Sequence, residues 1–388
     1  MTLPESYCGR EQTYVKHQLL RTYLERLFMI VGQSQPCIRY VDCFSGPWQE
    51  GTENLQDTSI AIALDIMRKC KEGIARMGKP IEFKALFVEK DEVAFSKLNT
   101  FLAKNAYQGI TTEPQKGDFF ELRKSILTWC GPDDFTFYFI DPTGWKGAVE
   151  IPTLKPLLER PNSEFLINFM YDFLLRTHTQ EPFHDDMEAI FGYIPDTGSM
   201  APKEKEKCLI EQYCRHLKEI APDRGGKPRT AIVPILYPLR DRTLYHLVYL
   251  TRHPKGITVF MEASEKLNII QRRTRAQAKQ VDREMRTHQS ELFAAQENVQ
   301  AAEDINPEIV KAYWMNELSF EGQRFGIERL ADMQEKTGWF ESDLQTAFGQ
   351  LIKEGRVANL DDGTKRRRSK YVHFDARHNQ GEELIRLK

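Results

Sequence analysis

Apolar residues recur at helical spacing between Glu11 and Val31, where Val15, Leu19, Leu20, Tyr23, Leu24, Leu27 and Phe28 share one face. That pattern predicts a long helix packed along a core. The next apolar run, Ile38 to Val41, is short and ends in Asp42, with the turn Cys43-Phe44-Ser45-Gly46-Pro47-Trp48 behind it. It predicts a buried strand, then a helix over Asp57 to Lys69. The alternation repeats. Lys84 to Val88 reads as a strand running into Glu89-Lys90-Asp91, and Asp91 as the cap of a helix reaching about Lys104. A weaker strand near Ile110 to Thr112 leads to Gly117-Asp118-Phe119-Phe120 and a helix carrying Leu122, Ile126, Leu127 and Trp129. The run Phe135 to Ile140 is aromatic or β-branched throughout, as in a strand buried on both faces, and it stops at Asp141-Pro142-Thr143-Gly144-Trp145. A helix with Leu154, Leu157 and Leu158 and a fifth strand, Glu164 to Phe169, follow. Strands alternating with helices in this way predict an α/β fold built on a Rossmann-like, doubly wound parallel sheet.

The rhythm breaks at Tyr171, and residues 171–230 are expected to form an inserted helical lobe. Ala231 to Leu236 and Leu244 to Leu250 flank a turn and predict an antiparallel pair completing a first domain over 1–262. A basic helical connector is expected over 263–306, carrying Lys266, Arg272, Arg273, Arg275, Lys279, Arg283 and Arg286. Beyond Pro307 the pattern reads as helices near 308–318, 327–336 and 341–354, then strands Arg356 to Leu360 and Lys370 to Phe374. Helix, helix, helix, hairpin predicts a winged helix over 307–388.

Composition adds bounds. The 388 residues are 41% hydrophobic and 28% charged, enough for two or three soluble domains. A formal net charge of −2 supplies no global basic field, so a nucleic-acid partner would have to be held by local patches. The 7 cysteines are scattered without a Cys-x-x-Cys pair, which suits reduced thiols in the cytoplasm rather than a metal knuckle or disulfide framework. No apolar run is long enough to span a bilayer, and the polar first residues with Pro4 do not resemble a signal peptide. The expected location is cytoplasmic.

Asp42, Glu89, Asp118 and Asp141 all fall at the ends of successive predicted strands, where open α/β sheets hold ligands. Any one of them is more often a cap or loop residue. Together they suit one ligand. A carboxylate at the first turn repels phosphate and suits an amine, which points to S-adenosylmethionine rather than a nucleotide phosphate. Asp42, Phe44 and the Ser45-Gly46 backbone would hold its amino-acid end, Glu89 its ribose hydroxyls, and Asp118 its adenine amino group with Phe119 beside the ring.

Asp141-Pro142-Thr143-Gly144-Trp145 is the candidate for chemistry. The lone pair of an exocyclic base amine is delocalised into its ring. A side-chain acceptor and a backbone carbonyl bonded to the amine hydrogens localise that pair and aim it at a methyl carbon. Asp141 and the Pro142 carbonyl match those roles, and Trp145 would stack on the base. The competing reading is an Asp-Pro cap before the helix at Ile151.

The set Tyr40 to Pro47, Phe87 to Asp91, Gly117-Asp118 and Phe139 to Gly144 resembles, in order and spacing, the three-Cys-motif partner proteins (TcmP) over roughly the first two-thirds of the chain. The segment Tyr245 to His253 and Lys16 also match. The family is a Rossmann-like branch of the S-adenosylmethionine-dependent methyltransferases whose members are implied partners of a separate radical-type protein with a three-cysteine motif. The resemblance implies that Lys16 reaches into the site, and Asp-Pro-x-Gly is similar to the motif of transfer-RNA guanine-N2 methyltransferases. Trp48 departs from a usual glycine and Thr143 from a usual aromatic or proline.

Basic stretches remain. Arg272 and Arg273 either track a phosphate backbone or lie on a solvated helix face. Lys365, Arg366, Arg367, Arg368 and Lys370, at the predicted wing, place five positive charges where wings meet phosphates. The expectation is a methyltransferase acting on an exocyclic base nitrogen of DNA or RNA. A non-catalytic nucleic-acid-binding subunit of the radical-type protein, or a small-molecule methyltransferase, are the alternatives.

Overall fold

The structure, a computed structural model, describes residues 3–46, 57–142, 144, 147–177, 180–287, 305–361 and 371–387. After a single 3-10 turn, α1 (Glu11–Val31) leads into β1 (Cys37–Asp42), α2 (Ser59–Arg76), β2 (Glu82–Glu89), α3 (Glu92–Lys104) and β3 (Ile110–Lys116). Next come α4 (Phe119–Cys130), β4 (Phe135–Ile140), α5 (Ile151–Leu158) and β5 (Ser163–Phe169). The strands assemble in the order β3-β2-β1-β4-β5, then β7 (Thr243–Thr251) and β6 (Arg229–Leu236). β1 to β5 pair in parallel, β7 runs antiparallel to both β5 and β6, and β6 therefore shares the direction of β5. This is a mostly parallel, seven-stranded α/β sheet. Chain order reverses between β1 and β4, the crevice where such sheets take ligands.

Burial explains why these segments became strands. Every residue of β4 and β5 is buried, and the two cores divide by strand parity. Phe137, Phe139 and Leu166 face α1, α2 and the start of a long helix, α9 (Pro254–Thr287), whereas Tyr138, Ile140 and Ile167 face α4, α5 and the helical lobe. The lobe holds α6 (Tyr171–Thr177), α7 (His184–Phe191) and α8 (Pro202–Ile220), close to its expected span. Its Met187, Ile190, Phe191, Leu209 and Tyr213 complete the second core. β3 runs further than its pattern suggested, through Pro114 to Lys116. It is the sheet's edge, the position at which a strand tolerates a proline's missing N–H.

α9 (Pro254–Thr287) is continuous across the expected domain boundary at residue 263. Ile257, Phe260, Ala263 and Leu267 lie in the main core, so the first half of the expected connector belongs to the sheet domain. Residues 288–304 lie outside the described residues.

The C-terminal unit runs α10 (Pro307–Glu317), β8 (Gln323–Phe325), α11 (Ile327–Thr337), α12 (Glu341–Lys353), β9 (Val357–Asn359) and β10 (Glu382–Arg386). Its three helices enclose Trp314, whose Nε1 donates to the Leu344 carbonyl at 2.9 Å. β10 stands between β8 and β9, antiparallel to both. Of the second hairpin strand expected over 370–374, the described residues 371–374 do not form a strand. The Val372 backbone is instead bonded through both its N–H and C=O to the Gln345 side chain, at 2.9 and 2.7 Å, and the His373 N–H goes to Glu382 Oε2. Those groups are spent on side chains, and Glu382–Arg386, with Leu384 buried, takes the ladder. Gly381 permits the entry to it: its φ is +75°, and a Cβ there would lie 1.7 Å from the Phe325 carbonyl oxygen.

α11 docks this unit onto the edge strand β6. Arg229, only 3% exposed, donates to Asp332 and Glu328 at 2.6 Å each, and Glu335 accepts from Lys218 and the Thr230 N–H.

Candidate functional site

Asp42, Glu89 and Asp118 sit where the pattern put them, at or just beyond the carboxyl ends of β1, β2 and β3, and each first serves its own turn. Asp42 Oδ1 accepts the Phe44 N–H at 3.2 Å, Glu89 Oε1 the Asp91 N–H at 2.7 Å and Asp118 Oδ1 the Phe120 N–H at 2.9 Å. This is the ordinary Asx-type use of an acid, two residues ahead of the donor. The turns also shape a cavity of about 170 Å³ lined by Phe44, Gly46, Glu89, Asp118 and Phe119 among others. The Phe44 and Phe119 rings pack at 5.2 Å between centroids and form its apolar wall. Carboxylates beside aromatic faces fit hydroxyls and a purine ring, so these residues fit an adenosyl group.

Asp42 is fully buried, and its other oxygen accepts from Ser59 Oγ at 3.0 Å, tying β1 to the first turn of α2. Burial pushes its carboxyl up to about 7, against the lowering effect of Ser59 and the Phe44 N–H and with a smaller push from Asp141. The folded protein therefore holds this proton between the ordinary aspartate value of 3.8 and about 7, while the unfolded chain has released it. Stability contributed by Asp42 is present below pH 3.8 and lost as pH rises toward 7. Asp42→Asn can keep the Phe44 N–H on its amide oxygen and donate its NH2 to Ser59 Oγ, without the buried charge. Its melting temperature should exceed that of wild type at pH 8 and match it near pH 4, and parallel melting profiles from pH 4 to 8 would sink this account.

One expected contact is corrected. The Ser45 N–H donates to the Val88 carbonyl at 2.8 Å and Ser45 Oγ to the Asp42 carbonyl, so that backbone donor holds β1 to β2 and does not face a ligand. Gly46 lines the cavity.

Asp141 behaves differently from the other acids. The cap of α5 is Glu150, and Asp141 does not serve as one. Its Oδ2 accepts from Lys16 Nζ, and its Oδ1 accepts from Asn168 Nδ2 at 2.7 Å. α1 lies along the sheet face with its first turns at the carboxyl ends of the strands, where Tyr245 on β7 donates to the Gln12 carbonyl at 3.2 Å. Ile140 pairs with Ile167, so Asn168 stands beside Asp141 one step beyond the ladder. The structure thus brings Lys16, Asp141 and buried Pro142 together. Trp145 lies outside the described residues, as do Pro47, Trp48, Thr143 and the wing residues Lys365, Arg366, Arg367, Arg368 and Lys370.

Asn168, Tyr245 and Tyr40 were not singled out for the site by sequence reasoning. The signal for Asn168 was a lone amide in the otherwise apolar end of Phe165 to Phe169. Thr251-Arg252-His253 lies at the opposite end of the sheet, where Thr251 bonds Glu164 and Arg252 ties down the Leu158 and Pro222 carbonyls.

On α9 most of the basic charge is spent internally. Arg275 and Lys279 meet Asp241, Lys266 meets Glu262 and Arg286 meets Asp282. Arg273 is exposed and Arg272 half-buried. Among the described residues there is no cluster of three metal-ligating side chains and no helix long and apolar enough to cross a membrane.

No family model matches the chain, and no curated protein matches it. Among solved structures it is similar to protein LPL1258 from Legionella pneumophila str. Philadelphia 1, of family DUF519. That match has 12% identity and a TM-score of 0.39, covering 67% of this chain and 92% of the other. It is also similar to a loganic acid methyltransferase with SAH, at 9% identity and a TM-score of 0.33, covering 76% of this chain and 95% of the other. At these values neither likeness carries an argument about activity, which rests on the site's own residues.

Proposed function

We propose that the protein transfers a methyl group from S-adenosylmethionine to an exocyclic amino nitrogen of a base in DNA or RNA. The observation that carries this reading is Asp141: an acid at the sheet's reversal point, held on both oxygens by Lys16 and Asn168 and left free of any capping role. Such a carboxylate is positioned before the substrate arrives, which is what orientation of a weak nucleophile requires. When bound, S-adenosylmethionine supplies an electrophilic methyl group on a sulfonium. Glu89 and Asp118 would hold its ribose and adenine beside Phe44 and Phe119, whereas Asp42, fully buried with its oxygens bonded to Phe44 and Ser59, does not line the cavity and would only shape the first turn. Asp141 would accept one amine hydrogen, aim the nitrogen's lone pair, and hold the proton that the nitrogen sheds as the C–S bond breaks and the C–N bond forms. The acids at this end of the sheet suit a cation and disfavour a phosphate.

We read the C-terminal unit as a winged helix, supported by its order of helix, strand, helix, helix, strand, strand. Lys365, Arg366, Arg367, Arg368 and Lys370 fall on the link between β9 and β10, where five positive charges would hold a nucleic-acid backbone in a salt-dependent manner. The third helix, α12, does not suit a groove. It begins with Glu341 and Asp343, and its Ser342, Gln345 and Thr346 line a cleft against α9. The wing would therefore carry the contact. A separate radical-type protein with a three-cysteine motif is proposed as the partner on the family resemblance.

A second reading, a non-catalytic subunit that keeps the fold, is favoured by two contacts: Lys16 already sits on Asp141, and the Ser45 N–H is spent on Val88. The cofactor test comes first. Calorimetric titration with S-adenosylmethionine should show binding that Glu89→Ala weakens about 100-fold, the loss of two charge-assisted hydroxyl contacts. Absence of heat from folded wild-type protein would overturn the methyltransferase reading and leave the subunit.

A further inference from the structure

Asn168 is 4% exposed, and its orientation is decided by chemistry. The Asp141 carboxylate can only accept, so the amide nitrogen must face it and the amide oxygen must point elsewhere. That oxygen, Oδ1, is buried and has no hydrogen-bond partner among the described residues. The Tyr40 hydroxyl, fully buried on β1, is likewise without a partner there, and it lies within the field of Asp42 and Asp141. Unmatched buried polar atoms are costly, and here one belongs to the residue that bonds Asp141, the acid whose oxygens are held by distant side chains and not by its own turn.

We infer that Asn168 Oδ1, in place of the Pro142 carbonyl expected from the sequence, is the second acceptor for the substrate amine, so that the site grips a primary, doubly hydrogen-bearing nitrogen between Asp141 and Asn168. The inference rests on the function proposed above for this site and adds a substrate class to it. An NH2 group offers two hydrogens in one plane, and each would meet one acceptor, Asp141 just beyond β4 and Asn168 on the neighbouring β5. A carbonyl at the same ring position would place a lone pair against two acceptors and be rejected. A monomethylated amine keeps one hydrogen, which the anionic Asp141 takes in preference to the neutral amide. The site would therefore favour the first methylation over a second.

The test uses the full chain and nucleosides as probes, with affinities read by saturation-transfer NMR. At least one of adenosine, cytidine and guanosine should bind wild type, with inosine and uridine much weaker. Asn168→Ala should weaken the bound amino nucleoside about tenfold, the loss of one buried acceptor. The N-monomethyl form of that nucleoside should change less than about twofold on the same substitution. Asn168→Ser, with melting temperatures for both variants, separates a folding defect from a lost contact. Equal losses for the primary and monomethylated amines would show that Asn168 only steadies Asp141, and would overturn the inference. So would failure of all three amino nucleosides to bind folded wild-type protein. The S-adenosylmethionine titration is independent of these arms, so a failed cofactor reading and a failed Asn168 assignment are told apart.

Discussion

Asp141→Ala should lower methyl transfer at saturating cofactor by about 100- to 1000-fold, the scale on which removal of one preorganised electrostatic partner acts. Cofactor affinity should stay within about twofold, because Asp141 lies outside the cavity formed by Glu89, Asp118, Phe44 and Phe119. The substitution removes the partner of both Lys16 and Asn168 Nδ2. Lys16 keeps 12% of its side-chain surface exposed and can recover some hydration, so a stability cost of about 1–3 kcal/mol accompanies the loss of activity. Transfer of tritium from labelled S-adenosylmethionine to bulk DNA and RNA, with a thermal melt alongside, measures both. Asp141→Asn separates charge from geometry, since it keeps an acceptor oxygen but loses the charge that Lys16 requires. Unchanged transfer by a folded Asp141→Ala protein would assign the residue to structure alone.

Arg229→Ala should detach the C-terminal unit from the sheet at a cost of about 2–3 kcal/mol. The guanidinium is buried against Asp332 and Glu328, so the pair is not the surface kind whose worth is near zero. Glu328 and Asp332 are 66% and 45% exposed and rehydrate when the arginine is gone, which keeps the cost below that of a fully enclosed pair. Glu335 retains Lys218 and the Thr230 N–H, so docking weakens without the unit itself unfolding. Denaturant unfolding should change from one transition to two, and amide exchange at Thr230 should quicken. A single transition at the wild-type midpoint would mean that the apolar contact of α11 with α9 suffices. In the proposed function, loosening this joint would raise the Michaelis constant for nucleic acid with cofactor affinity unchanged.

Much of the framework was legible because hydrophobic period and local chemistry are written along the chain. β4 was placed from Phe135 to Ile140 by its aromatic and β-branched residues alone, and Asp91 was recognised as a cap and accepts the Ala94 N–H. Asp42, Glu89 and Asp118 were legible as strand-end acids because register and chain order follow from strands alternating with helices. Segments whose partners are distant were not. The strand expected over 370–374 and β10 compete for the same ladder, and the winner depends on Gln345 and Glu382, which meet Val372 and His373 only after the unit packs. The α9 boundary failed for a related reason: a basic face reads as a linker, while the opposite face is buried on α1.

Taken alone, the sequence determined the α/β class, the order of elements in the sheet domain and the acids at the strand ends, since each depends on residues within a few positions of one another. What the acids do was decided only in three dimensions. Lys16 and Asn168 lie 125 and 27 residues from Asp141 in the chain, and no local pattern announces that they converge on it. Burial raises the Asp42 carboxyl, parity sends Tyr40 toward the same acids, and the first turns of α1 reach the strand ends. Each is a consequence of long-range packing, which fixes dielectric surroundings and hydrogen-bond partners that sequence neighbours do not supply.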